Sequence, residues 1–201
     1  MNYHLSRTGR RAIAILAGTA VAALAITSAA FAATSPGAAS AASAAIPKCT
    51  AAVGQNGNVA IWVADDQGNG AAGTIYFPLE FTNLSKHACS MRGFPGVSAI
   101  SRGGLQLGSP AGWESGGGFG TPRTVTVAPG ATVHAVLAYH DVEISTAPGC
   151  DAVNTMVELR VYPPDQRASG DAFFDLEACS HAGPVYLSVG PIKPGVGTIN
   201  G

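Results

Sequence analysis

Charge is what this chain has least of: only 11% of its 201 residues are Asp, Glu, Lys or Arg. Aromatic side chains are scarce as well, at 7%, with two Trp among them. Basic residues form no cluster outside the first eleven positions, where Arg7, Arg10 and Arg11 stand. Beyond those three, eight basic residues face twelve acidic ones, a net charge of −4. A mildly acidic chain without a basic patch lacks the means to neutralise phosphates, so neither nucleic acid nor anionic lipid is an expected partner. Cys-x-x-Cys is absent, which removes the usual spacing of dithiol redox and zinc-ribbon sites. No window repeats the three-to-four spacing of an amphipathic helix, so a helical bundle is not expected.

What is present in quantity is glycine (26) and proline (13), the residues of tight turns. The N-terminus is a different kind of segment. Residues 1–32 read as a secretory signal: the three arginines, an apolar stretch from Ala12 to Ala29, and Ala30-Phe31-Ala32 as a cleavage site. The stretch approaches spanning length, but its alanines and hydroxyl residues make it weakly apolar for a permanent anchor. Arg10-Arg11 leaves general secretion and twin-arginine export both open. Residues 33–47, rich in Ala and Ser, hold almost nothing that can be buried and read as a flexible leader.

The domain proper is expected over residues 48–192, with 193–201 as a loose tail. Its clearest stretch is Thr74 to Thr82, where Ile75, Phe77, Leu79 and Phe81 alternate with Thr74, Tyr76, Pro78, Glu80 and Thr82. Such alternation predicts a strand with one face on a core and one in water. Val59–Val63, the turn formers Asp65 to Gly70 and the strand from Thr74 predict one hairpin. Arg123 to Ala128, Pro129-Gly130 and Ala131 to His140 predict a second, with Val125 and Val127 facing inward beside Val133, Ala135, Leu137 and Tyr139. A third runs from Val153 to Tyr162, turns through Pro163 to Gly170, and returns from Ala172 to Cys179. About nine short strands with turns every 8–12 residues favour an all-β antiparallel sandwich. Ser115-Gly116-Gly117-Gly118, within the loop 113–120, reads as the most flexible part.

Four cysteines in an exported chain imply two disulfides, and spacing alone allows three pairings. Hairpin symmetry favours one of them. Reflection of Cys49 across the turn near Gln67-Gly68 falls close to Cys89, and reflection of Cys150 across the turn near Gln166-Arg167 falls a few residues beyond Cys179. Cys49–Cys89 and Cys150–Cys179 are therefore the expected bonds, each at the open end of a hairpin.

At this point the residues resemble a family. Phe81-Thr82-Asn83-Leu84-Ser85, Cys89-Ser90-Met91 and Gly93-Phe94-Pro95-Gly96-Val97-Ser98 are similar to the secreted actinobacterial proteins known as domain of unknown function 4232. The likeness runs from Cys49 to Val189 and includes the Val125 to Gly130 turn and the last two cysteines. It implies a secreted, immunoglobulin-like β-sandwich and supplies no catalytic residue.

Chemistry has few footholds. His134 and His140, with Asp141 and Glu143, can be drawn as a metal site, although the spacing fixes no third ligand. His87, Cys89, Met91 and His181 invite a copper reading that would need a free thiolate. Gly96-Val97-Ser98 begins like a nucleophile elbow but lacks the closing glycine. Asn83-Leu84-Ser85 is formally a glycosylation sequon and more simply a turn. Trp62 and Tyr76, on one hairpin, are the candidate binding patch for a protein or glycan partner. No cofactor, no metal and no catalytic residue is expected. The expectation is thus a secreted, non-catalytic binding or structural module of the cell envelope or medium. The alternatives are an extracellular hydrolase with a cryptic site and a protease inhibitor presenting the 113–120 loop.

Overall fold

The computed structural model describes residues 45–51, 58–140, 148–155, 157–181, 183 and 185–198. The signal expected at 1–32 and most of the 33–47 leader lie outside them, as do Asp141 and Glu143. Fifteen strands follow one another among the described residues: β1 (Val59–Val63), β2 (Asn69–Ala71), β3 (Thr74–Asn83), β4 (Cys89–Arg92), β5 (Gly96–Ser101), β6 (Gln106–Leu107), β7 (Gly112–Trp113), β8 (Thr124–Val127), β9 (Thr132–His140), β10 (Ala152–Thr155), β11 (Val157–Tyr162), β12 (Gly170–Phe173), β13 (Leu176–Cys179), β14 (Leu187–Val189) and β15 (Lys193–Pro194). The excess over nine comes from short pieces such as β6, β7 and β15.

These strands make four sheets, and every strand pairing is antiparallel except that of β14 with β7. The largest runs β1-β3-β9-β14-β7, with β2 also on β3 and β15 also on β9. A four-stranded sheet has the order β12-β11-β5-β6, and β10-β13 and β4-β8 form two-stranded sheets. The inward residues of all four, including Leu79, Phe81 and Leu137 from the large sheet and Val97, Leu159 and Val161 from the four-stranded one, meet in one hydrophobic cluster. Val, Leu and Phe at alternate positions bury there because the pleat turns every second side chain to the same face.

The hairpins need two corrections. β1 does pair with β3, from Val59 opposite Asn83 to Val63 opposite Leu79. Their connection is not a plain turn, however: β2 folds onto the start of β3 through Ala72 and Gly73, both at positive φ. The Pro129-Gly130 turn forms, with the Ala131 N–H donating to Ala128 O at 3.0 Å, yet β8 and β9 do not pair. β8 bonds to β4, while β9 is held by β3 on one side and by β14 and β15 on the other. A turn that looks like a hairpin is here the corner at which the chain leaves one sheet for another. Val125, Val127, Val133, Ala135 and Leu137 are buried all the same, from different sheets.

Cys49 is bonded to Cys89 and Cys150 to Cys179, each pair with Cα atoms 4.9 Å apart. Cys150 does lie at the open end of the third hairpin, just before Ala152 opposite Cys179. Cys49 reaches Cys89 by another route. Its segment runs parallel beside β4, the Cys49 N–H donating to Ser90 O at 3.0 Å and the Ser90 N–H to Pro47 O at 2.8 Å.

The segment from Lys193 is not loose as far as Thr198. β15 pairs with β9, Lys193 opposite His134, and Gly197 is buried on the large sheet. No helix among the described residues is long and apolar enough to cross a membrane.

Candidate functional site

The residues singled out in the sequence are dispersed. All four cysteines are spent in disulfides, so no thiolate is available to a copper ion at Cys89. Met91 is buried and His181 lies in the open, 3.5 Å from Asp151. Ser98 lies inside β5 opposite Arg160, within a continuous strand instead of a strand-to-helix elbow. His134 and His140 share a face of β9 but stand six residues, roughly 20 Å, apart. His140 spends both ring nitrogens, Nδ1 on Thr74 Oγ1 at 2.8 Å and Nε2 on Ser188 Oγ at 3.3 Å. Among the described residues no three His, Cys, Asp or Glu side chains gather as a metal set.

Asn83 is wholly buried, and its amide works as a hub. Nδ2 donates to His87 O at 2.9 Å and to Val127 O at 3.0 Å, while Oδ1 accepts from the Ser85 N–H and hydroxyl at 2.9 and 2.8 Å. The Asn-Leu-Ser triplet is a local turn that ties β3 to β4 and to the β8–β9 corner.

Trp62 and Tyr76 lie on one face of the large sheet, although they are not neighbours. Trp62 stands opposite Glu80, four residues along β3 from Tyr76, roughly 13 Å away, and its indole N–H donates to Thr82 Oγ1 at 3.3 Å. The ring partner of Tyr76 is Phe119, edge-on with centroids 6.1 Å apart. Phe119 comes from the glycine-rich loop, which closes on itself: the Gly116 N–H donates to Gly120 O at 2.7 Å, and φ is positive at Gly116, Gly117 and Gly120. Those glycines serve a backbone that other residues would strain. The loop therefore folds back on the sheet and presents no extended segment braced by a disulfide. Tyr76, Phe119, Val136, Lys193 and Thr198 line a cleft of about 530 Å³ here.

The alternation of β3 placed Glu80 in water, whereas it has no exposed surface at all. Residues 195–197 lie over it: the Gly197 N–H donates to Glu80 Oε1 at 2.7 Å, and Oε2 has no hydrogen-bond partner among the described residues. Burial pushes its carboxyl up to about 7, against the pull of the Gly197 N–H. Across the pair, His134 is held below its ordinary range, mainly by burial and also by the Lys193 charge, although its bond to Gly195 O works the other way.

A second surface carries Trp113, the most exposed aromatic side chain among the described residues. Trp113 is 67% exposed, yet its ring is fixed in a near-parallel stack on Phe94, centroids 5.3 Å apart and planes 11° apart. Phe94 belongs to the Gly93-Phe94-Pro95-Gly96 corner between β4 and β5. The pair edges a groove of about 390 Å³ that continues to Tyr162 and the Pro163 to Gln166 turn, with Arg92, Asp165 and Gln166 as its polar lining. Asp165 adopts φ +59°, a conformation that non-glycine residues seldom take, and pairs with Lys48 at 3.0 Å. Sequence reasoning missed this surface, because Phe94, Trp113 and Tyr162 come from three separate elements.

Against known proteins, the domain of unknown function DUF4232 matches residues 55–193. The chain belongs to that family. No curated protein and no solved structure matches it.

Proposed function

We propose that this chain is a secreted, non-catalytic binding module of the cell envelope or medium, built as an immunoglobulin-like sandwich, whose Phe94–Trp113–Tyr162 groove engages a polysaccharide. Two disulfides fit an oxidising compartment. The sandwich reading is supported by the single hydrophobic cluster into which the large and the four-stranded sheets both point. The observation that carries the binding reading is Trp113, largely exposed and yet held flat by Phe94. An aromatic plane fixed before binding loses little entropy on contact. It can pack against the apolar C–H face of a sugar ring, and the planar side chains of Arg92, Asp165 and Gln166 suit the hydroxyls at the ring edge.

The test is co-sedimentation of the exported domain with insoluble cell-wall polysaccharide. Trp113→Ala should lower retention more than tenfold, while Trp62→Ala, on the other surface, should leave it unchanged. Equal retention of Trp113→Ala and wild type would refute the groove as the binding surface.

A further inference from the structure

Glu80 lies in a row that crosses four strands of the large sheet: Trp62 on β1, Glu80 on β3, His134 on β9 and Lys193 on β15. Residues 195–197 pass over the middle of this row. Gly195 O accepts a hydrogen bond from His134 Nδ1 at 2.8 Å, and the Gly197 N–H donates to Glu80 Oε1 at 2.7 Å. The fit leaves no spare room. A Cβ at Gly197 would lie 2.5 Å from Pro78 Cβ and 2.9 Å from the His134 ring, so only glycine seats here. The cover is also chemically incomplete, because Glu80 Oε2 is buried with no partner among the described residues. A neutral carboxyl tolerates that position much better than a carboxylate does.

We propose that residues 195–198 are a proton-operated clasp on the outer face of the large sheet, closed while Glu80 is neutral and loosened when it ionises. Release frees the Gly197 amide, admits water to Glu80 and His134, and uncovers the row between Trp62 and Lys193. Because Thr198 and Lys193 also wall the Tyr76–Phe119 cleft, the same movement widens that cleft.

The charged groups around Glu80 set the direction. Its neighbour on β1 is Trp62, Pro78 and Thr82 flank it on its own face, and residues 195–198 (Gly-Val-Gly-Thr) carry no charge. His134 and, beyond it, Lys193 are the titratable groups that face it from β9 and β15. In the closed state the carboxyl titrates at about 7, against an ordinary 4.5 when freed. The closed state thus holds its proton across that interval, and closure weakens as pH rises through it, by up to about 300-fold in the open-to-closed ratio. His134 acts oppositely and lower. Its closed-state value lies below 6.5, so its protonation opposes closure as pH falls beneath that value.

The experiment is hydrogen exchange at the Gly197 amide of the full domain between pH 5 and 8, corrected for intrinsic exchange, in wild type and Glu80→Gln. Glu80→Gln, which cannot ionise, should show only the gain in protection that follows deprotonation of His134, and relative to it wild type should lose protection progressively as pH rises through 7. The same slope in both proteins would overturn the clasp. Should Glu80→Gln not fold, carboxyl-carbon NMR of wild type decides: a Glu80 midpoint well above 4.5 that tracks loss of Gly197 protection supports the proposal, and a midpoint near 4.5 refutes it.

Discussion

Replacing Asn83 examines how the family's Phe-Thr-Asn turn holds the sheets together. Its amide makes four hydrogen bonds and has no exposed surface. In Asn83→Ala the backbone bonds to Gly130 and Ala131 remain, and His87 O still accepts from the Ser85 hydroxyl. Val127 O loses its Asn83 donor inside the protein, and the Ser85 N–H loses its acceptor. A buried orphan carbonyl costs about 1–3 kcal/mol, and each remaining lost bond about 1 kcal/mol. With the Val127 carbonyl orphaned and the Ser85 N–H bond lost, the total is on the order of 2–4 kcal/mol, or a fall in Tm of about 5–15 °C for a domain of this size. Asn83→Asp separates the contributions. It keeps the acceptor for Ser85 but turns a second oxygen toward two carbonyls in a buried place. At neutral pH it should be at least as unstable as Asn83→Ala. Burial raises the pKa of the new carboxyl, so the variant should recover stability as pH falls and it becomes a donor. Urea unfolding at pH 7 and pH 4.5 measures both effects. Asn83→Ala within 1 kcal/mol of wild type, or Asn83→Asp equal to wild type at pH 7, would refute this account of the turn.

Two further predictions concern stability. Glu80 has a folded pKa of about 7, above its unfolded value of 4.5, so its contribution is fully present below about 4.5 and is lost as pH rises through 7. Glu80→Gln should flatten the fall in stability between pH 5 and 7.5, a difference of at most about 3 kcal/mol read by urea titration. If the two profiles run parallel, Glu80 is not the group responsible. Replacing Cys49 and Cys89 together by Ala opens a loop of sequence separation 40 and should cost about 4 kcal/mol on chain entropy; the Cys150 and Cys179 pair, with separation 29, should cost slightly less. A loss below 1 kcal/mol in either double variant would show that the reduced chain is already constrained there.

The sequence was most legible where structure is local. Alternation in β3 marks its core face correctly, because Leu79 and Phe81 need only the pleat to bury them. The opposite face was misread for a non-local reason: a tail more than a hundred residues later covers Glu80. Pro129-Gly130 is visible as a turn, but nothing in a turn says whether its flanking strands pair. Here β3, β14 and β15 had already taken both sides of β9. Asn83 and Ser85 announce their turn within three residues. Trp113 stacks on Phe94 across nineteen positions of chain, a contact that no spacing rule encodes.

The most direct measurement for the binding surface is fluorescence of the Trp62→Phe protein, in which Trp113 is the sole tryptophan, titrated with soluble oligosaccharides from cell-wall polysaccharide. The account predicts a saturable blue shift as a sugar ring covers the exposed indole. Sugar binding shown by calorimetry with no change in Trp113 emission, or no binding to any such fragment, would contradict it.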